Sequence, residues 1–120
     1  MIYFLNYYSA LPIEIVSEMK SLEVYVMDTA VFECIFNTEN VQVIWKYKDK
    51  ALTKTERIKM RSRFSKQQLI IDECQLDDSG WYICQSGDVH TKAELVVKGR
   101  LRTAQFLRQL LAFYSFYSGN

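Results

Sequence analysis

Between Pro12 and Lys98, apolar side chains return at every second position in short runs interrupted by polar turns. A period of two belongs to a strand with one buried and one solvated face; an amphipathic helix would return its apolar stripe every three or four residues. Val24 and Val26 alternate in VYV, Ala30, Phe32, Cys34 and Phe36 in TAVFECIF, and Val43, Trp45 and Tyr47 in QVIWKYK. Leu69 and Ile71, Tyr82 and Cys84, and Ala93, Leu95 and Val97 repeat the rule. With Pro12–Val16 and Arg57–Arg61 as weaker additions, about eight short strands are expected. An all-β sandwich of two packed antiparallel sheets is the natural solution. The 120 residues, 49% hydrophobic and 24% charged, suit one soluble domain of this kind and exclude disorder, collagen and a two-domain enzyme.

A second pattern lies over the first. Cys34 is followed eleven residues later by Trp45, and Asp78-Ser79-Gly80-Trp81-Tyr82-Ile83-Cys84 sets a Tyr two residues before another Cys. Cys34, Trp45, Asp78, Gly80, Tyr82 and Cys84 together resemble the fold signature of an immunoglobulin sandwich. Residues 12–98 resemble an immunoglobulin domain of the intermediate set, and LIIDECQLDDSGWYIC with WKYKDKAL is most similar to the tandem domains of giant sarcomeric proteins such as titin and obscurin. The resemblance implies that Cys34 and Cys84 face each other between the sheets with Trp45 packed on them, either as a disulfide or, in a cytosolic compartment, as buried thiols. It implies that Tyr82 hydrogen-bonds the main chain at the corner entering its strand. Gly80 would take a turn conformation closed to residues with a Cβ, and Asp78 would pair with Arg57 or cap local amides. Cys74 stands where the family places an apolar core residue; it either fills the core or offers an alternative disulfide with Cys84. The family's usual Gly after the Lys-Asp turn is replaced by Lys50.

Chemistry finds little foothold. The single His90 lies in GDVHT, read as a turn, with no nucleophile–base motif around it, and three Cys with one His lack zinc-ligand spacing. The expectation is therefore no enzyme, no cofactor, no metal and no small-molecule substrate. Asp72, Glu73, Asp77 and Asp78 form the densest carboxylate cluster, but strand-end alternation divides their directions, so a solvated loop is expected rather than a calcium site. Net charge is only +1, yet between Lys46 and Lys66 nine basic residues face two acids, a local excess of seven that leaves the remainder at −6. Within RIKMRS, Arg57, Lys59 and Arg61 form a solvent-facing row opposite inward Ile58 and Met60, as an acidic partner would require or as any exposed strand displays. No aromatic platform is interleaved with these bases, so nucleic acid is not an expected partner. Strand parity exposes a second surface. If Tyr82 and Cys84 point inward, Trp81, Ile83 and Gln85 point outward beside Ile44 and Lys46 of the neighbouring strand, either as a docking face or as scattered exposed side chains.

The flanks differ from the domain. Nine of the chain's seventeen aromatic rings lie outside 12–98. Residues 1–11 are read as a non-domain leader with no basic residue before an apolar run broken at Asn6, which does not support a signal peptide. No stretch reaches about 20 apolar residues, so no transmembrane segment is expected. In residues 99–120, Leu107, Leu110, Leu111 and Tyr114 recur at helical spacing against Arg100, Arg102 and Arg108. A short C-terminal amphipathic helix is expected, packed on the domain, on a partner or on a membrane surface; the tail equally reads as unpacked flanking sequence. Two functions follow. One is a non-catalytic structural and protein-interaction module of a cytoplasmic, sarcomeric cytoskeletal protein, partnered by neighbouring immunoglobulin-like domains or sarcomeric proteins. The other is an extracellular adhesion or receptor domain binding a protein ligand, in which the Cys34–Cys84 bridge is obligatory.

Overall fold

The computed structural model describes residues 12–99. Among them nine strands follow one another: β1 (Ile15–Ser17), β2 (Leu22–Tyr25), β3 (Ala30–Phe36), β4 (Ile44–Tyr47), β5 (Lys50–Ala51), β6 (Ile58–Arg63), β7 (Lys66–Ile71), β8 (Gly80–Ser86) and β9 (Val89–Lys98). A 3-10 turn, Leu76–Asp78, joins β7 to β8. One sheet has the order β1-β3-β7-β6 and the other β2-β9-β8-β4-β5.

The alternation read from the sequence becomes the contact between these sheets. In β3, Ala30, Phe32, Cys34 and Phe36 are each no more than 2% exposed, while Val31 between them is 41% exposed. Leu69 and Ile71 of β7 lie beside them, and Trp45, Tyr82, Cys84, Ala93 and Leu95 close over them from the other sheet. Each such large side chain contributes roughly 1.5–3 kcal/mol by leaving water. Two polar side chains enter this interior with partners. Gln67 donates from Nε2 to the Val41 carbonyl at 3.0 Å and to Ser62 Oγ at 2.9 Å, and Thr91 Oγ1 accepts from the Met19 amide at 3.2 Å.

Not every ladder is antiparallel. The N-terminal segment pairs first with β3 as β1, crosses between the sheets at buried Met19, and then runs as β2 parallel to β9, from Leu22 opposite Leu95 to Tyr25 opposite Lys98. Crossing without reversing direction is what makes this pair parallel. β5, which carries no alternation, is a ninth strand: Tyr47 pairs with Lys50 across the two-residue turn Lys48-Asp49. Both turn residues are left-handed, with φ of 51° and 64°, the geometry of a type I′ hairpin made without glycine. Lys50 is therefore the first residue of β5 and not a turn residue. The leader and the tail from Arg100 onward, with its expected helix, lie outside the described residues.

Candidate functional site

The residues of the signature converge at two places. In the middle of the sandwich, Cys34 of β3 and Cys84 of β8 meet with their sulfurs 3.5 Å apart, both fully buried and both free thiols, and Trp45 pairs with Cys84 across β4 and β8. The hydrogen bond shared with Cys34, together with burial, pushes the Cys84 thiol far above its ordinary range. The same hydrogen bond lowers the Cys34 thiol, but both sulfurs are closed off from solvent.

At the end of the sandwich the 3-10 turn feeds β8 through Gly80, and two tyrosines hold it. Tyr82 Oη donates to the Asp78 carbonyl at 2.6 Å, and Tyr47 Oη reaches the carbonyls of Asp77 and Ser79 at 2.8 and 2.6 Å. The two rings stack with centroids 4.6 Å apart. Gly80 has φ of +140°, and a Cβ there would lie 3.0 Å from Tyr47 Cε1. Burial raises the Tyr82 hydroxyl well above its ordinary value of 10.0.

Asp78 ties this corner to β6. Its carboxylate takes both guanidinium nitrogens of Arg57, at 2.9 and 3.3 Å, and the Gln75 amide at 2.7 Å. Burial opposes ionisation, but these donors hold Asp78 below its ordinary 3.8. Arg57 Nη1 also reaches the carbonyls of Asp72 and Glu73. Nothing in the sequence pattern singled out Tyr47 for the corner, because its partners lie about 30 residues away and only the β4–β8 register brings them together.

Three readings of the sequence change. The row Arg57, Lys59, Arg61 is not a free basic stripe: Arg57 turns into the corner, and Lys59 pairs with Asp72 at 2.9 Å, leaving Arg61 as the member with no ion pair among the described residues. Cys74 cannot be an alternative partner for Cys84. Its thiol sits beside the Ala30 amide and donates to the Ile71 carbonyl, whereas the partner of Cys84 is Cys34, four residues further along β3. That is about 13 Å of strand, against the 7 Å limit on Cα separation for a disulfide. Burial, then the charge of Asp78, raises this thiol, so Cys74 is inert core filling. His90 lies in β9 opposite Gln85 and not in the turn. Asp72, Glu73, Asp77 and Asp78 do not converge, and no cluster of three or more ligating side chains occurs among the described residues.

The outward face of β8 and β4 carries a diagonal apolar stripe. Trp81 (49% exposed), Ile83 and Ile44 (53% exposed) follow one another across the sheet, because Ile83 pairs with Lys46 and Ile44 with Gln85. Lysines bracket it: Lys46 lies beside Ile83, and Lys92, also opposite Ile83, holds Nζ 5.4 Å from the Trp81 ring centroid. The cation spans part of the indole face and leaves the rest accessible.

The fold is shared with known proteins. Cardiac-type myosin-binding protein C of Mus musculus is 33% identical over 89 residues, covering 72% of this chain, which spans only 7% of that relative. A crystal structure of one titin domain, 30% identical, superposes with a TM-score of 0.71 over 73% of this chain and all of that domain. The IG27 protein domain does so at 29% identity and a TM-score of 0.72, over 74% of this chain and all of that one. Residues 13–97 match the family model of the immunoglobulin I-set domain, and the chain belongs to that family.

Proposed function

We propose that this chain is a non-catalytic structural and protein-interaction module of a muscle cytoskeletal protein of the titin and obscurin kind, located at the sarcomere, where it bears force and spaces binding sites. The observation that carries this reading is the parallel pairing of β2 with β9. Tension between the two ends of the domain pulls Leu22 and Lys98 in opposite directions along one ladder. Its bonds, including Val26 amide to Lys98 carbonyl at 2.8 Å, are then loaded together and not one after another. An ion pair from Lys98 to Glu23 at 3.3 Å spans the same two strands.

The stripe Trp81, Ile83 and Ile44, with Lys46 and Gln85, is the face proposed to dock a neighbouring protein, and another immunoglobulin-like domain is the proposed partner. A titin domain and an obscurin-like 1 immunoglobulin domain of this fold form a complex with each other. Burial of such a stripe supplies several kcal/mol at about 25 cal/mol per Å², before association costs. Stretching the chain between two handles in an atomic-force microscope tests the mechanical part. A single cooperative rupture lengthening the chain by roughly 30 nm is expected, at a force lowered by Val26→Pro. Extension without a resolvable rupture refutes it. Intact-mass measurement of native protein with and without reductant separates this reading from an extracellular receptor domain, which would carry the Cys34–Cys84 bond.

A further inference from the structure

The basic stretch of the sequence acquires a place to act once its ion pairs are assigned. Arg57 is engaged by Asp78, Lys59 by Asp72 and Lys66 by Glu33. Among the described residues Lys46, Lys48, Lys50, Lys54, Arg61 and Arg63 have no carboxylate partner, with Asp49 and Glu56 the only acids interspersed along that stretch. Two of the six meet at a cleft. The loop before β4, the segment after β5, and strands β6 and β7 enclose about 340 Å³ between the two sheets on the side where β5 and β6 are the edges. Lys54 and Arg61 stand on its wall, Val43 and Met60 contribute apolar surface above buried Trp45, and no carboxylate lines it. Buried Gln67 ties the wall together by donating to Val41 on one side and Ser62 on the other, which fixes the spacing of the two sides.

We infer that this cleft is a receptor for an acidic peptide segment, which places a carboxylate side chain between Lys54 and Arg61 and its aliphatic stem against Val43 and Met60. The volume falls in the usual range for a ligand cleft. A cation pair on a wall that no carboxylate lines gives specificity for an anion, and the flanking Lys48 and Lys50 of the hairpin after β4 extend the positive field toward a longer acidic run. This deepens the interaction role proposed above by naming the chemistry of one partner, and it uses a different surface from the Trp81 stripe.

The test uses the whole chain and a synthetic acetylated peptide of six glutamates flanked by serines. Amide chemical-shift titration at low salt is expected to move Asn40–Val43, Lys54, Arg61, Ser62 and the Trp45 indole together. Lys54→Ala with Arg61→Ala should weaken binding at least tenfold, while Lys20→Glu, which lowers the charge by the same two units elsewhere, should change it less than twofold. All three positions are exposed, and unchanged thermal melting confirms that each variant folds. The proposal is overturned if the double variant binds as the parent does, if a six-glutamine peptide binds equally well, or if shifts spread over every surface lysine without reaching the cleft. It is also overturned if a heparin oligosaccharide or single-stranded oligonucleotide of equal charge occupies the cleft more tightly. The rupture force of the Lys54→Ala, Arg61→Ala variant should equal that of the parent, so failure at the cleft leaves the mechanical reading standing.

Discussion

Gly80→Ala is the substitution on which the account of the corner depends most directly. Its φ of +140° lies where only glycine is comfortable, and forcing alanine into it costs about 1–3 kcal/mol. The added Cβ would also stand 3.0 Å from Tyr47 Cε1. Tyr47 cannot retreat freely, because its hydroxyl is fixed to the carbonyls of Asp77 and Ser79 and its ring is stacked on Tyr82. Relieving that contact adds roughly another 1 kcal/mol of the kind seen for overpacked sites. A total of about 2–4 kcal/mol is expected, or a melting temperature lower by roughly 10–20 °C for a domain of this size. Urea denaturation followed by the fluorescence of buried Trp45 measures it. In a Tyr47→Leu background, whose side chain ends before the Cε1 position, the cost of Gly80→Ala should fall to the backbone part alone. A cost below about 0.5 kcal/mol in the parent, or the same cost in both backgrounds, would show that the close approach of Gly80 to Tyr47 does not constrain this turn.

Three further outcomes are expected from the same structure. Tyr82→Phe removes the bond to the Asp78 carbonyl and should cost about 1–2 kcal/mol; because the folded hydroxyl ionises above its ordinary 10.0, parental stability should decline more steeply than the variant's as pH rises past 10 in alkaline urea titrations. Asp78→Asn should cost about 1 kcal/mol at neutral pH, the ion pair being discounted for an Arg57 side chain that is 36% exposed. Asp78 titrates below 3.8 when folded, so its contribution is complete above the unfolded value and is lost as pH falls through the folded one; the parent should weaken more steeply than the variant below about pH 4 in acid titrations. Replacing Lys48-Asp49 by Asn-Gly should stabilise the domain by about 0.5–1 kcal/mol in calorimetry, since glycine and asparagine enter the left-handed turn with less strain.

What could be read from the chain was whatever depends on a residue and its near neighbours. Ala30, Phe32, Cys34 and Phe36 announce β3 because burial of one face writes itself as a period of two, and the DSGWYIC segment carries its corner within seven residues. What escaped depends on register between distant segments. β5 has two exposed residues and no periodicity, so only its pairing with β4 reveals it. The parallel sense of β2 is decided by the crossing at Met19, which no local pattern records. Arg57 carried two expectations, outward in a row with Lys59 and Arg61 or paired with Asp78, and its guanidinium arm follows the carboxylate of Asp78. Likewise Cys74 is ten residues from Cys84 along the chain yet belongs to a different level of the sandwich, because the 3-10 turn consumes the intervening length.

The left-handed residues at the bends have a consequence for a whole family of such units. Met27, Asn40, Lys48, Asp49, Phe64 and Glu73 all hold positive φ with a side chain attached, and every one of them is exposed. Exchanging any of them for glycine or asparagine trades local strain against freedom in the unfolded chain, with no atom of the interior disturbed. Melting points can thus be graded in small steps at the bends of successive copies while their packing and contact faces stay the same. A string of like units can in this way acquire a fixed order of opening, written at its least conspicuous positions.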